Sequence, residues 1–253
     1  MSQTDARATR EALEARATRE ELEHLLRTDA LELPSGFGDA VERFVLLLLE
    51  ANARLNLTRV VEPDALARVH LLDSLAALPL IDALAPRRAL DLGSGGGVPG
   101  IVLALARPEV QWTLVDSVHK KADAMRSFVE ALGLPNVEVI AERAEILGRD
   151  GAARGSFDLV TARACAALPV LVEYALPLLR LGGTLIAWKG PISSDELRRG
   201  ANASALLGGG EPRVHAAGFE ALGDHRFVIV GKERATPARF PRRPGEASRR
   251  PLG

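Results

Sequence analysis

One segment of the chain dictates its architecture, and it reads Ala89-Leu-Asp-Leu-Gly-Ser-Gly-Gly-Gly-Val-Pro-Gly100. Its apolar start predicts a buried strand, and Pro99 suits the first turn of a helix. The glycines between them let the backbone turn sharply and let a ligand lie directly against it. The segment therefore predicts a strand, a ligand-binding loop and a helix in succession.

The sequence after this segment alternates between strand-like and helix-like patterns. Strands are predicted at 89–92, 112–115, 137–140, 157–161 and 184–188, and helices at 99–107, 119–132 and 168–180. This alternation predicts a parallel sheet covered on both faces. Two later strand-like runs, 213–219 and 225–231, leave no room for a helix between them and should pair antiparallel. We therefore predict an α/β, Rossmann-like fold of the class I methyltransferase type, with a mostly parallel seven-stranded sheet and an antiparallel C-terminal strand.

The chain before the sheet is predicted to be helical. Residues 5–28 carry Arg–Glu pairs four residues apart and few apolar residues, so we expect a solvated helix there. Two amphipathic helices should follow at 37–54 and 62–77, and Pro177 should kink or end the helix predicted at 168–180. We divide the chain into a helical extension (1–80), a methyltransferase domain (81–233) and a tail rich in Pro and Arg (234–253).

Composition excludes several classes of protein. The 253 residues suffice for one large domain, or for one domain with an extension, and 47% hydrophobic with 26% charged residues is ordinary for a globular protein. A single cysteine excludes a disulfide scaffold and a cysteine-rich zinc site. No early apolar run is long enough to span a bilayer or form a secretory signal, so we expect a cytoplasmic protein.

Charge is distributed unevenly along the chain. The net charge of −1 argues against a nucleic-acid-binding protein, but residues 232–253 alone carry +5 and the other residues −6. A basic segment attracts phosphate backbones, so we predict RNA contacts for Arg239, Arg242 and Arg243, and also for Lys189 at the end of a strand. We expect the tail to lie extended and Phe240 to anchor it by packing.

The glycine-rich segment also indicates which ligand it binds. By letters, Gly95-x-Gly97-x-x-Gly100 fits the dinucleotide fingerprint, but that match alone is weak. Asp91 favours S-adenosylmethionine, because at the strand end it can meet a ligand ammonium group. Asp116, at the end of the next strand, can take two ribose hydroxyls, as it also could in an NAD enzyme. Arg143-Ala-Glu145 either serves an adenine edge or is an ordinary exposed loop.

Other reactive side chains lie near the same predicted edge of the sheet. Arg163 ends the fourth strand, where open α/β sheets bind ligands, although a surface ion pair is the alternative. Cys165 has no partner that would mark it as a nucleophile, so we expect it to be small and buried. Asn56 should end a helix, and His70, like its neighbours Asp73-Ser74, should lie on a helix surface. No histidine has the neighbours of a metal site, so we predict no metal.

Taken together, these motifs resemble the bacterial small-subunit ribosomal RNA guanine-N7 methyltransferase family, also called glucose-inhibited division protein B. The resemblance runs from about Phe44 to Gly245. Its motifs, in order, are Asn56-Leu-Thr58, Arg68 and His70 with Asp73-Ser74, Asp91 to Gly100, Asp116-Ser117 with Lys120, Arg143-Ala-Glu145, Arg163-Ala164, Lys189-Gly190 and Thr236 to Gly245. The combination is specific, whereas each motif alone is not.

The resemblance implies an enzyme that uses S-adenosylmethionine to methylate N7 of one guanine in 16S ribosomal RNA. Its partner would be that RNA or the small ribosomal subunit, and we expect a monomer that does not bind membranes. Cofactor contacts are implied for Gly93, Val98, Ala144, Glu145 and Arg163, and the residue patterns add Asp91, Gly95 and Asp116. Guanine N7 has no proton to lose, so we assign no catalytic base and expect positioning roles for Asn56, His70, Arg163 and Lys189.

Three alternatives remain at this point. An NAD-dependent oxidoreductase would share the glycine loop, but the short-chain Tyr-x-x-x-Lys pattern is absent, because Leu178 stands four residues after the only tyrosine, Tyr174. A non-catalytic RNA-binding protein would explain the tail but not the complete cofactor loop. A methyltransferase of the same fold could act on another RNA or on a small molecule.

Overall fold

A computed structural model describes residues 3–28 and 31–253, which are organised around a seven-stranded sheet. The strands are Arg88–Leu92 (β1), Gln111–Val115 (β2), Val137–Ile140 (β3), Phe157–Arg163 (β4), Leu179–Lys189 (β5), Arg213–Ala216 (β6) and Arg226–Gly231 (β7). Their order is β3-β2-β1-β4-β5-β7-β6; β7 runs antiparallel to both of its neighbours, and the other pairs are parallel. The predicted fold class is confirmed.

Helices precede the sheet and connect its strands. The α-helices are Gln3–Leu25 (α1), Phe37–Leu55 (α2), Pro63–Ala65 (α3), Asp73–Leu75 (α4), Leu78–Leu84 (α5), Gly100–Ala106 (α6), His119–Leu132 (α7), Ala144–Leu147 (α8), Leu168–Ala175 (α9), Ser194–Leu207 (α10) and Glu246–Arg249 (α11). A π-helix, Leu66–Leu72, joins α3 to α4, and 3-10 turns occupy Leu26–Thr28 and Glu220–Leu222. Across the described residues, no helix is both long and apolar enough to cross a bilayer.

Alternate residues of each strand face opposite sides of the sheet, and in the central strands both sides are buried. Ala89 belongs to a core with α1, α2 and the helices that follow them, whereas its neighbour Leu90 belongs to a core with α9 and α10. A parallel sheet covered on both faces needs apolar residues in succession, which is the pattern of Leu185 to Trp188 in β5. Helix α10 was not predicted, although Ser193 caps it by accepting a hydrogen bond from the Glu196 amide at 3.1 Å. The Ser-x-x-Glu spacing was a usable signal for its start.

Helix α1 is not the wholly solvated helix that its composition predicts. Its Arg–Glu pairs do lie at the predicted four-residue spacing. However, Ala15, Thr18 and Leu22 are buried, and the helix packs against α2 and the π-helix. Small side chains allow this close approach, so the buried stripe carries little of the hydrophobicity on which the prediction relied.

The π-helix corrects the prediction for the segment around His70. A regular α-helix over 62–77 would place His70 and Asp73 on its surface, but both side chains are buried. A π-turn takes in an extra residue. Residues after it therefore face a direction that a spacing of three or four does not predict. The turn aims these polar groups at the carboxyl edge of the sheet.

Candidate functional site

The glycine loop after β1 is held open by backbone geometry. The Gly93 and Ser94 amides both donate to the Val115 carbonyl of β2, at 2.8 and 3.0 Å. Gly93 has a φ of +72° and Gly95 a φ of +58°, in the region that favours glycine. At Gly100 the constraint is different, because a Cβ there would collide with Leu114. The loop thus combines left-handed turns with close packing on β2.

Two carboxylates brace this loop from different sides. Asp91 is fully buried beneath it and accepts hydrogen bonds from the Gly100 amide at 3.2 Å and from the Thr161 hydroxyl at 2.8 Å. Burial raises the pKa of Asp91, and those hydrogen bonds oppose the shift. The Asp116 carboxylate accepts hydrogen bonds from the Gly95 amide at 3.0 Å and the Val118 amide at 2.8 Å. Asp91 therefore supports the loop, whereas Asp116 reaches its open side.

A cavity of about 340 Å³ opens beside the loop at the carboxyl ends of β1 and β2, and we call it the glycine-loop cavity. Four of the predicted cofactor residues line it, namely Gly93, Asp116, Ala144 and Glu145. Asp91, Gly95 and Val98 are not part of its lining. Tyr174 of α9 and Cys165 also line it, and neither of them was predicted to belong to the site.

A second cavity of about 340 Å³ lies at the carboxyl ends of β4 and β5, and we call it the β4–β5 cavity. Arg163 and Lys189 line it, together with Trp188 and His225. Arg163 is thus placed beside the glycine-loop cavity rather than in it. The Lys189 ammonium donates to the Ala166 carbonyl at 2.9 Å and to the Glu196 carboxylate at 2.8 Å, so its charge is already paired.

Arg163 joins the sheet edge to the N-terminal helices. Its guanidinium donates to the Val69 carbonyl at 2.7 Å, to Asp73 at 3.3 Å and to Nδ1 of His70 at 3.2 Å. Since an arginine only donates, Nδ1 accepts and the Nε2 proton of His70 points at the Thr58 hydroxyl, 2.8 Å away. Burial, with the Arg163 charge, lowers the pKa of His70 to about 4. The motifs that contain Thr58, His70 and Arg163 thus form one hydrogen-bonded network.

The other candidate from the first of these motifs has a simpler place. Asn56 is the C-cap of α2, with a φ of +50°, and its amide donates to the Asn52 carbonyl at 3.1 Å. The expectation that it ends a helix is confirmed. Its side chain is exposed, unlike that of Thr58, which contacts His70.

Asp73 is the second hub of the network, and spacing did not reveal it. Its carboxylate contacts Arg163 and Nδ1 of His225, the latter at 3.0 Å. Its backbone carbonyl accepts from the Trp188 indole at 2.8 Å. Asp73 therefore links α4 to β4, to β5 and to the start of β7. The motif Asp73-Ser74 was the available signal, but only burial distinguishes it from a surface pair.

Cys165 is not the small buried residue that we predicted. It is exposed, and it lines both cavities. A Cβ built on Gly93 would lie 3.0 Å from its sulfur, so the thiol lies directly against the glycine loop. Although the residue is exposed, the surrounding cavity walls limit hydration of a thiolate, and the Asp91 and Asp116 carboxylates repel its negative charge. Together they raise the pKa of Cys165 to about 11. The thiol remains protonated near neutral pH.

Comparisons with known proteins identify the family. The sequence profile described as rRNA small subunit methyltransferase G matches residues 39–221. The chain belongs to this family. The ribosomal RNA small subunit methyltransferase G of Deinococcus deserti is 44% identical over 232 residues, covering 90% of this chain and 95% of the relative. The protein of the same name from Chloroflexus aggregans is 45% identical over 215 residues, covering 83% and 88%. These matches confirm the resemblance seen in the sequence.

A solved structure supports the fold independently. The O-methyltransferase from Bacillus cereus superposes with a TM-score of 0.54 at 19% identity, covering 82% of this chain and 95% of that one. As a member of the rRNA small subunit methyltransferase G family, the protein is an S-adenosylmethionine-dependent methyltransferase. The family profile ends at residue 221, so the basic tail lies beyond it.

The glycine-loop cavity suits this cofactor. Each Asp116 oxygen accepts one backbone hydrogen bond and keeps a lone pair for a ribose hydroxyl. A Cβ at Gly95 would meet no protein atom closer than 3.9 Å, so open space lies where a ligand would approach the loop. Gly93, Asp116, Ala144 and Glu145 would hold the cofactor, which supplies a methyl group already activated on a sulfonium.

The basic tail is docked on the protein. Phe240 is buried against the α9–α10 core, which confirms that it anchors by packing. Arg239 lies 5.0 Å from the Phe240 ring and is exposed, as is Arg243. Arg242, by contrast, has its guanidinium on the buried carboxylate of Glu173, at 2.6 Å. The three predicted RNA-binding arginines therefore have different environments, and only two of them face solvent.

Proposed function

We propose that this enzyme transfers the methyl group of S-adenosylmethionine to N7 of a guanine in 16S ribosomal RNA. The observation that carries the proposal is the contact between its two cavities. Cys165 lines both, and the glycine loop lies against its thiol. A methyl group held in the glycine-loop cavity would thus be next to an acceptor base in the β4–β5 cavity. Family membership supports a ribosomal RNA acceptor.

The chemistry around the β4–β5 cavity favours an acceptor that needs no deprotonation. His70 is held neutral by its pKa of about 4, and its Nδ1 lone pair accepts from Arg163. The Cys165 thiol has a pKa of about 11, so it is not a thiolate nucleophile. Guanine N7 carries a free lone pair and reacts by an in-line approach once it is positioned. The enzyme then needs only to align the acceptor and exclude water.

Shape and polarity of the β4–β5 cavity fit a single extruded base. Trp188 and Leu171 give it apolar wall, and Lys189, Arg163 and His225 place donors around that wall. An enzyme that acts on a base needs that base unstacked from its neighbours, as it is in an RNA loop. Arg239 and Arg243 are exposed cations that could contact phosphates of the same RNA.

We also propose a location, an oligomeric state and a domain division for the enzyme. The enzyme would act in the cytoplasm, where 16S ribosomal RNA is assembled into subunits, and as a monomer. Residues 81–233 would form the methyltransferase domain, residues 1–80 its helical extension and residues 234–253 its tail. The RNA can be offered to the enzyme as naked RNA, as the small subunit or as an assembly intermediate.

The test is methyl transfer from labelled S-adenosylmethionine to RNA and small subunits from a strain that lacks the family's enzyme. We expect label in 16S RNA, recovered as 7-methylguanosine after digestion to nucleosides and mass spectrometry. Label in another methylguanosine isomer would contradict the N7 assignment. Label in a different RNA, or none in 16S RNA in any of these forms, would contradict the substrate.

A further inference from the structure

We propose that the segment 236–249 is a structural strap that positions one wall of the cofactor cavity, and that Arg242 locks it in place. The inference rests on the proposed placement of S-adenosylmethionine in the glycine-loop cavity, but not on the RNA or the atom that is methylated. It assigns Arg242 a positioning role instead of the RNA contact that its charge alone predicts.

The lock is an ion pair between Arg242 and Glu173 of α9. The Glu173 side chain has no exposed surface, and a buried carboxylate is costly unless it is paired and hydrogen-bonded. Arg242 satisfies it completely: its backbone amide and Nε donate to one oxygen at 2.8 and 2.9 Å, and its Nη2 donates to the other at 2.6 Å. Removing the guanidinium would leave an uncompensated buried charge, which strongly destabilises the docked strap.

The strap contacts two residues that line the glycine-loop cavity. The Gly245 amide donates to Oε1 of Glu145 at 2.7 Å, and the Ser248 hydroxyl lies 2.9 Å from the Tyr174 hydroxyl. Glu145 and Tyr174 both belong to the cavity wall, and Tyr174 directly follows Glu173 on α9. One short segment thus fixes the orientation of two side chains that would face the cofactor.

Two arginines of the body bind the strap's backbone on its other side. Arg154 donates to the Phe240 and Thr236 carbonyls, both at 2.8 Å. Arg149 donates to the Pro241 carbonyl at 2.8 Å. Positive groups of the body therefore bind a positively charged segment through its carbonyls, an arrangement that holds the segment on the body. Two residues of the strap itself, Phe240 and Ala247, are buried against the body.

The adjacent arginine provides a matched control. Arg243 is exposed and its side chain has no partner among the residues that the structure describes, whereas Arg242 is half-buried against Glu173. Arg242→Ala and Arg243→Ala remove the same charge from neighbouring positions of the full chain. If the strap positions the cavity wall, Arg242→Ala should weaken S-adenosylmethionine binding by about tenfold, the scale on which a residue that does not touch the ligand modulates a binding site. Arg243→Ala should bind the cofactor as the wild type does.

A double-mutant cycle separates positioning from general destabilisation. Glu173→Gln should weaken cofactor binding as Arg242→Ala does, and the double variant should be no weaker than either single one, because the two residues act as one unit. Gly133→Ala, far from the strap at the end of α7, supplies a destabilised variant whose cofactor affinity should be intact. Affinities are measured by calorimetry below the unfolding temperature, and unfolding of each variant by circular dichroism.

Each outcome bears on the inference. Equal cofactor affinity of Arg242→Ala and Arg243→Ala would overturn the strap, and weaker RNA binding by both variants in filter binding would then return Arg242 to the RNA interface. Additive losses in the cycle would also overturn it. A wild-type protein that binds no S-adenosylmethionine would instead refute the proposed function, and that result is distinguishable because it precedes any comparison of variants.

Discussion

Gly93→Ala should abolish most cofactor binding while leaving the protein folded. Gly93 lines the glycine-loop cavity with a φ of +72°, and its added methyl would lie 3.0 Å from the Cys165 sulfur. A left-handed backbone costs an L-residue about 1–2 kcal/mol, which is the expected loss of unfolding free energy. When the cofactor fills the cavity, the same methyl should also weaken its binding by about 1–3 kcal/mol through overpacking, which raises the Kd roughly fivefold to over a hundredfold.

Gly133→Ala isolates the backbone strain. Gly133 ends α7 with a φ of +63°, and a Cβ there meets no atom within 4 Å. It should therefore lose about the same 1–2 kcal/mol of stability and none of the cofactor affinity. Urea unfolding gives the stabilities and calorimetric titration with S-adenosylmethionine gives the affinities. Wild-type affinity in Gly93→Ala would refute the placement of the cofactor, and an equal affinity loss in Gly133→Ala would show that destabilisation alone explains the effect.

Three further predictions concern pH and charge. The single-turnover transfer rate should be nearly flat between about pH 6 and 9, because the pKa values of His70, about 4, and Cys165, about 11, lie outside that window; a one-proton rise that disappears in His70→Ala would contradict this. Folding lowers the pKa of His70 from 6.5 to about 4, so between these values the unfolded chain binds a proton that the folded protein does not. The stability of the fold with a neutral, buried His70 is therefore fully present above pH 6.5 and is lost as the pH falls towards 4. Urea unfolding at pH 7 and 4.5 should show the wild type losing about 2–3 kcal/mol more than His70→Asn, and equal losses would refute the buried neutral imidazole. Arg239→Gln with Arg243→Gln should weaken RNA binding and reduce its salt slope by roughly 0.7–0.9 for each phosphate that the variant no longer neutralises, in filter binding over a salt series; an unchanged slope would place the RNA elsewhere.

Local chemistry explains which parts of the fold could be predicted from the sequence. Strand β3 is predicted to the residue, because its β-branched residues directly follow the turn residues Pro135-Asn136. The glycine loop could be placed because few other sequences allow its backbone. Family motifs then located Gly93, Ala144 and Glu145, and the pattern at the end of a strand located Asp116; all four line one cavity. The turn of a glycine loop and the place of a carboxylate at the end of a strand depend on residues a few positions away, so both can be predicted from the local sequence.

Interactions between distant segments account for what was missed. Arg242 and Glu173 are 69 residues apart, so nothing near Arg242 indicates that its charge is buried. His70 was misplaced because a π-turn breaks the helical period on which the prediction relied. Cys165 was predicted to be buried because of its residue type, but it lines two neighbouring cavities and is exposed. In each case the sequence supplies the residue and only the assembled fold supplies its partner.

If guanine N7 receives the methyl group by positioning alone, replacement of that atom in the acceptor should abolish transfer, and this is the most direct test. Two 16S RNA transcripts would be compared under single turnover with labelled S-adenosylmethionine, one ordinary and one in which 7-deazaguanosine replaces guanosine. The ordinary transcript should yield labelled 7-methylguanosine, and the 7-deaza transcript should bind with similar affinity yet accept no label, because a carbon stands where the lone pair was. Methylation of the 7-deaza transcript at a rate close to that of the ordinary one would contradict the claim.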